Sequence, residues 1–210
     1  MNYLPRSIEE YVKQSYVSLI IVGIMVGVFL QVTRSGVTNI EIMESYNAFQ
    51  ADSILDGEVF RLIGWFFVHL TFVELFFSSL SLLIIGANLE RLIGPFRFAI
   101  FYLLAGILNG LVITYIHVNI VPYDVYLYGA APTVAASIST LIYVRLMRPR
   151  WFDDTDLRVL WVFIAAYAII IFSGFALGIN ARSAWVIYII GIILGFVLSW
   201  GFIPEKRLDA

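Results

Sequence analysis

The chain has 210 residues, 61% hydrophobic and 13% charged, with a mean hydropathy of +0.91, whereas soluble domains carry about 45–50% apolar and about 25% charged residues. This is the composition of a membrane protein, and at roughly 20 apolar residues per crossing its length fits about six spans in a single membrane domain over residues 1–210. A formal net charge of −2 with no basic stripe excludes a nucleic-acid partner; zero cysteines exclude disulfides, thiolate metal sites and cysteine nucleophiles; two histidines are too few for a histidine-rich metal site, so neither metal nor cofactor is expected.

Lipid offers backbone amides no water, so a spanning chain must satisfy them within helices or a closed barrel. Long apolar runs, rather than alternating units of about ten residues, predict an all-α polytopic bundle. The first run, 15–32, is longer than a secretory-signal core and no small-x-small site closes it, so it reads as a retained span. A long first extracytoplasmic loop follows, from about Thr33 to His69, mixing apolar residues (Ile40, Phe49, Ile54, Leu55) with acids (Glu41, Glu44, Asp52, Asp56, Glu58). Loops of this length are functional or interfacial, and two readings stand: a packed brace for the bundle, or a segment lying on the membrane surface.

Further spans are predicted at about 72–93, 96–116, 132–147, 157–177 and 185–203, punctuated by Gly94-Pro95, Val121-Pro122, Arg148-Pro149-Arg150 and Asn180-Ala181-Arg182. A cytoplasmic N-terminus places Arg6, Lys13, Arg91, Arg97, Arg145, Arg148, Arg150, Arg158, Lys206 and Arg207 inside, against Arg34, Arg61 and Arg182 outside. That distribution obeys the positive-inside rule and predicts both termini cytoplasmic. Trp151, Trp185 and Trp200 fall near span ends, where indole suits the interface. Arg145, Arg148 and Arg150 suit anionic headgroups, and Asp153, Asp154 and Asp156 suit the N-terminus of the fifth span. Three glycine pairs at four-residue spacing, Gly23/Gly27, Gly106/Gly110 and Gly191/Gly195, each predict a close helix-packing seam.

The stretch from Gly57 through Phe60-Arg61 to His69, and the second span closing on Gly86, Glu90 and Gly94, resembles the rhomboid family of intramembrane serine proteases. In that family the first loop ends in Trp-Arg, a histidine opens the next segment, and a glycine, a glutamate and a further glycine close the second helix. Gly129-Ala-Ala-Pro132 stands where rhomboids have Gly-x-Ser-Gly, and Tyr188-x-x-Gly191-x-x-x-Gly195 where they have His-x-x-Gly-x-x-x-Gly. The resemblance runs from about Gly57 to Phe196 and implies a six-helix rhomboid-like bundle.

The departures are chemical. Serine hydrolysis needs a hydroxyl nucleophile, a base and oxyanion donors. The resemblance puts Ala131 at the nucleophile's place and Tyr188, a phenol of ordinary pKa near 10, at the base's. Glu74 and Ser78 stand for the polar helpers on the second helix, and Pro132 for the glycine after the nucleophile. Losing a nucleophile or base costs about a million-fold in a serine protease, and the number of changes speaks against one engineered inactivation. The resemblance thus implies a catalytically degenerate member, a rhomboid pseudoprotease, in which Glu74, Ser78, Ala131 and Tyr188 converge on the old cavity with His69 near its entrance.

A carboxylate within a span needs a partner, and Tyr188 and Ser78 are the candidates for Glu74. His69 is expected to brace the loop, Arg61 to bind loop carbonyls or Glu58, and His117, with no evident partner, to be interfacial. By resemblance to other inactive rhomboids, the expected function is binding transmembrane segments of client membrane proteins in the lipid bilayer and altering their stability, trafficking or presentation to another membrane protease. The alternative is an active protease with a displaced nucleophile, Ser78 or Ser137, and His69 as base. A transporter or channel has less support, because paired interrupted helices in repeated halves do not appear. The absence of cysteine and the compact size favour a prokaryotic plasma membrane.

Overall fold

A computed structural model of the chain describes residues 7–35, 48–120, 127–147 and 181–203, with the isolated positions Arg158, Trp161, Val162 and Ala165. The predicted fifth span, 157–177, lies almost wholly outside the described residues. So do Arg6, Ile40, Glu41, Glu44, Arg148, Arg150, Trp151, the three aspartates from Asp153 to Asp156, Lys206 and Arg207.

A short surface helix, α1 (Ile8–Gln14), starts at Ser7, whose hydroxyl accepts the Glu10 N–H at 3.2 Å. The Tyr11 hydroxyl ties it to the Leu83 carbonyl. Helix α2 (Tyr16–Ser35) has 20 residues, roughly 30 Å at 1.5 Å per residue, enough to cross a hydrocarbon core. A helix start leaves N–H groups without intrahelical partners. Here the fully buried Glu90 carboxylate takes Val17 N–H at 2.9 Å, Ser18 N–H at 2.8 Å and the Ser18 hydroxyl at 2.7 Å. These charge-assisted bonds offset the desolvation of the carboxylate, and its charge suits the positive end of the helix dipole.

Residues 48–69 fold inward. Helix α3 (Ala51–Leu55), helix α4 (Arg61–Gly64) and a 3₁₀ turn (Trp65–Phe67) lie against the bundle. Phe49, Trp65 and Phe66 are buried, and Phe49 and Leu127 exchange both backbone hydrogen bonds at 2.8 Å. The described part of the loop is therefore a packed brace. Phe49 does not lie on a membrane surface, although Leu55 is exposed. Arg61 is buried, donates to the Ala48 carbonyl at 3.0 Å and pairs with Glu58.

The second span, 22 residues from Phe72 to Ile93, comprises α5 (Phe72–Ser81), a π-helical segment (Leu82–Gly86) and α6 (Ala87–Ile93). Gly94, at φ +90°, ends it, and Pro95 opens α7 (Pro95–Asn119), where a missing N–H costs nothing. Helix α8 (Ala131–Met147) is central: every residue from Pro132 to Leu141 is buried. Its Ala, Ser and Thr side chains are short enough to let neighbouring backbones approach, and α9 (Ala181–Phe202) does so most closely.

Of the three glycine pairs, Gly191/Gly195 meets a helix backbone, whereas Gly106/Gly110 meets loop side chains instead. A Cβ on Gly191 would lie 2.5 Å from the Pro132 carbonyl oxygen, and one on Gly195 would lie 2.2 Å from that of Ala136. Gly106 and Gly110 receive the loop rings, with Phe66 at 2.3 Å and Phe49 at 3.1 Å from their hypothetical Cβ atoms. Gly23 and Gly27 depart from expectation: nothing described comes within 4 Å of either added Cβ, because α2 turns Ile21, Met25 and Val32 inward instead. The chain is an all-α, polytopic, integral membrane protein.

Candidate functional site

The loop delivers His69 to the head of α5. Its Nδ1 lies 3.1 Å from the Phe67 carbonyl oxygen, an acceptor, so Nδ1 carries the proton and Nε2 presents a lone pair. The ring is fully buried, and Nε2 has no hydrogen-bond partner among the described residues. Burial pulls the pKa down to about 4, so the imidazole is neutral near pH 7. Opposite stands Gly129, at φ +95°, with its N–H on the Trp65 carbonyl at 3.0 Å. That left-handed conformation favours glycine, and a Cβ there would come to 4.0 Å from His69 Nε2.

His69 and Gly129 line a cavity of about 220 Å³ with Val73, Glu74, Phe77, Ser78, Tyr128, Ala131 and Tyr188. Glu74 and Ser78 are one turn apart on α5, hence on one face; Ala131 is the first residue of α8, and Tyr188 comes from α9. Glu74 is half-buried and has a local partner. Thr71 caps α5, its hydroxyl accepting the Glu74 N–H at 3.2 Å while the carboxylate accepts the Thr71 N–H at 3.3 Å. Glu74 thus closes a capping box, and Tyr188 and Ser78 share its cavity. Tyr128, in the turn before α8, has its phenol pushed up to about 12 by burial and then by the Glu74 charge.

Other predicted positions lie apart. Ser137 is buried within α8, donates to the Thr133 carbonyl at 2.9 Å and does not line the cavity, which removes it as a displaced nucleophile. Arg61 holds the loop. Gly191 and Gly195 hold α9 on α8, helped by the Thr140 hydroxyl, which donates to the Gly195 carbonyl at 2.9 Å. His117 is not unpartnered: its Nε2 lies 3.0 Å from an Asp52 carboxylate oxygen, tying α7 to α3.

Sequence reasoning missed Thr71, although Thr71-x-x-Glu74 is the pattern of a capping box. It also missed Asn109, fully buried on α7, whose amide donates to the Ile187 carbonyl at 2.9 Å and so fixes the backbone beside Tyr188. No spacing rule joins residues so far apart. Tyr128 carries no local signal beyond its place beside Gly129.

Chemically, the cavity holds a neutral imidazole lone pair, a carboxylate, an aliphatic hydroxyl and two phenols. The methyl group of Ala131 supplies no nucleophilic lone pair. Among the described residues no three His, Cys, Asp or Glu side chains gather as a metal site.

The Rhomboid domain family model matches residues 56–205. Rhomboid protease GluP of Bacillus subtilis (strain 168) is 31% identical over 127 residues, covering 60% of this chain and 24% of that protein. A candidate rhomboid protease of the same strain, YdcA, is 26% identical over 154 residues, covering 73% of this chain and 72% of that one. The chain thus spans about a quarter of the first relative's length and nearly three quarters of the second's.

Proposed function

The chain belongs to the rhomboid family, and from that membership we propose that it is a pseudoprotease: it binds transmembrane segments of client membrane proteins and alters their stability, trafficking or presentation to another membrane protease. One observation carries this reading. The resemblance puts Ala131 and Tyr188 at the family's nucleophile and base positions, and both line the same cavity. A methyl group cannot attack a carbonyl, and a phenol of ordinary pKa near 10 is a poor base near pH 7. Glu74, on the oxyanion side by the same resemblance, would repel developing negative charge.

In this reading residues 1–210 act as one six-span domain with both termini cytoplasmic, in a prokaryotic plasma membrane. Photocrosslinkers placed beside Tyr188, in the reconstituted protein, should capture transmembrane segments without cleaving them. Crosslinks to lipid alone would remove the client-binding reading.

A second reading has its own support. Ser78 and the His69 Nε2 lone pair face one cavity, which is the pairing that a displaced nucleophile and base require. Against it, a base whose conjugate acid has a pKa of about 4 takes a proton weakly at neutral pH. Cleavage of a transmembrane substrate that Ser78→Ala abolishes would establish this alternative.

A further inference from the structure

We infer that the cavity takes a cationic side chain, a lysine ammonium or an arginine guanidinium, carried by the client's transmembrane segment; this rests on the client-binding reading and names the chemistry it selects. Two of the cavity's polar groups, His69 Nε2 and the Glu74 carboxylate, only accept, while the Ser78, Tyr128 and Tyr188 hydroxyls can donate or accept. His69 Nε2 is a buried lone pair without a partner, because Nδ1 is committed to the Phe67 carbonyl. Glu74 gives one oxygen to the Thr71 N–H at 3.3 Å, while a carboxylate offers about four lone-pair sites. A ligand that engages both acceptors brings donors, and one that also balances the Glu74 charge brings positive charge, which the neutral hydroxyls do not supply.

Among the described residues the cavity lining contains no lysine or arginine. Glu74 stands in the first turn of its span and is half-buried, so an incoming cation offsets the cost of its partly desolvated charge. Phe77, Tyr128 and Tyr188 add aromatic surface, and a cation within about 6 Å of a ring face is attracted by its quadrupole. The volume, about 220 Å³, is below the roughly 300–1,000 Å³ of small-molecule pockets and suits a side chain presented by a helix.

The test uses the full chain in phosphatidylcholine vesicles, which carry no net charge. Fluorescent single-span peptides of about 20 leucines and alanines differ at one position near the end that meets Glu74, carrying Lys, Arg, Leu or Glu. Energy-transfer titration should find the Lys and Arg peptides binding about tenfold tighter than Leu, with Glu weakest. Glu74→Gln keeps the capping box, where glutamine serves as well, and should erase the ranking while Leu-peptide binding persists. Equal binding of Lys and Leu peptides, or a Lys preference that survives Glu74→Gln, overturns the cation inference and leaves client binding intact. Failure of every peptide to bind defeats both.

Discussion

Adding one methyl group at Gly195 tests the seam that brings α9 to α8. The new Cβ would stand 2.0 Å from Ser139 Oγ and 2.2 Å from the Ala136 carbonyl oxygen, where ordinary contact begins at 3.4 Å. The serine hydroxyl can rotate, giving up its 3.0 Å bond to the Ala136 carbonyl, but the carbonyl is helix backbone and cannot. Helix α9 must therefore retreat by about 1 Å, stretching the 2.9 Å bond from Thr140 to the Gly195 carbonyl. Overpacking costs about 1–3 kcal/mol and an interhelical hydrogen bond in a membrane protein about 0.6 kcal/mol or more, so Gly195→Ala should lose about 2–3 kcal/mol. Equilibrium unfolding of the full chain in mixed micelles reads this directly. Gly23→Ala is the comparison: nothing described lies within 4 Å, and alanine's higher helix propensity makes it neutral or slightly stabilising. A Gly195→Ala protein as stable as Gly23→Ala would refute the close approach and, with it, the distance that seats Tyr188 across from Ala131.

Glu90→Gln should lose about 2 kcal/mol in the same assay, since bonds to a charged acceptor are worth about 1.5–3 kcal/mol and the amide must turn a donor toward one of the three groups it now accepts from. Acidification should weaken the fold through His69: its folded pKa of about 4 lies below the ordinary 6.5, so between those values the unfolded chain binds a proton that the folded one refuses. Stability is full above about pH 6.5 and falls toward pH 4 by up to about 1.4 kcal/mol per unit; His69→Asn should flatten that slope in a pH series of unfolding midpoints. Ala131→Ser combined with Tyr188→His should still cleave no transmembrane substrate, because Glu74 opposes the oxyanion and Pro132 has no N–H to offer it, one lost donor alone costing about 10²–10³ in rate. Turnover near that of an active rhomboid would show that the two substitutions were the whole defect.

Lipid imposes one rule on every residue a span contains, and among the described residues the helices at 72–93 and 131–147 start within one residue of where hydropathy places them. Ala131 and Tyr188 could be singled out because they stand at fixed offsets from glycines, and both line one cavity. Contacts set by tertiary position were not legible. Phe49 reads as a loop aromatic until Gly110 leaves room for it, and His117 reads as partnerless until α3 carries Asp52 to it. The pair Gly23 and Gly27 shows the converse failure: small residues permit approach without compelling it, and α2 presents another face inward. Glu74 lines the cavity and also has a partner three residues away, Thr71, which a search for long-range partners passes over.

The Glu90 clasp on α2 has a consequence for biogenesis. The first helix enters the bilayer with its leading amides bare, and the anion that quiets them is synthesised 72 residues after Ser18. Until the following hairpin arrives, that end must stay hydrated at the lipid boundary. The opening segment is thus held in waiting and locked into depth and rotation by a later part of the chain, so assembly is committed only when both pieces are home.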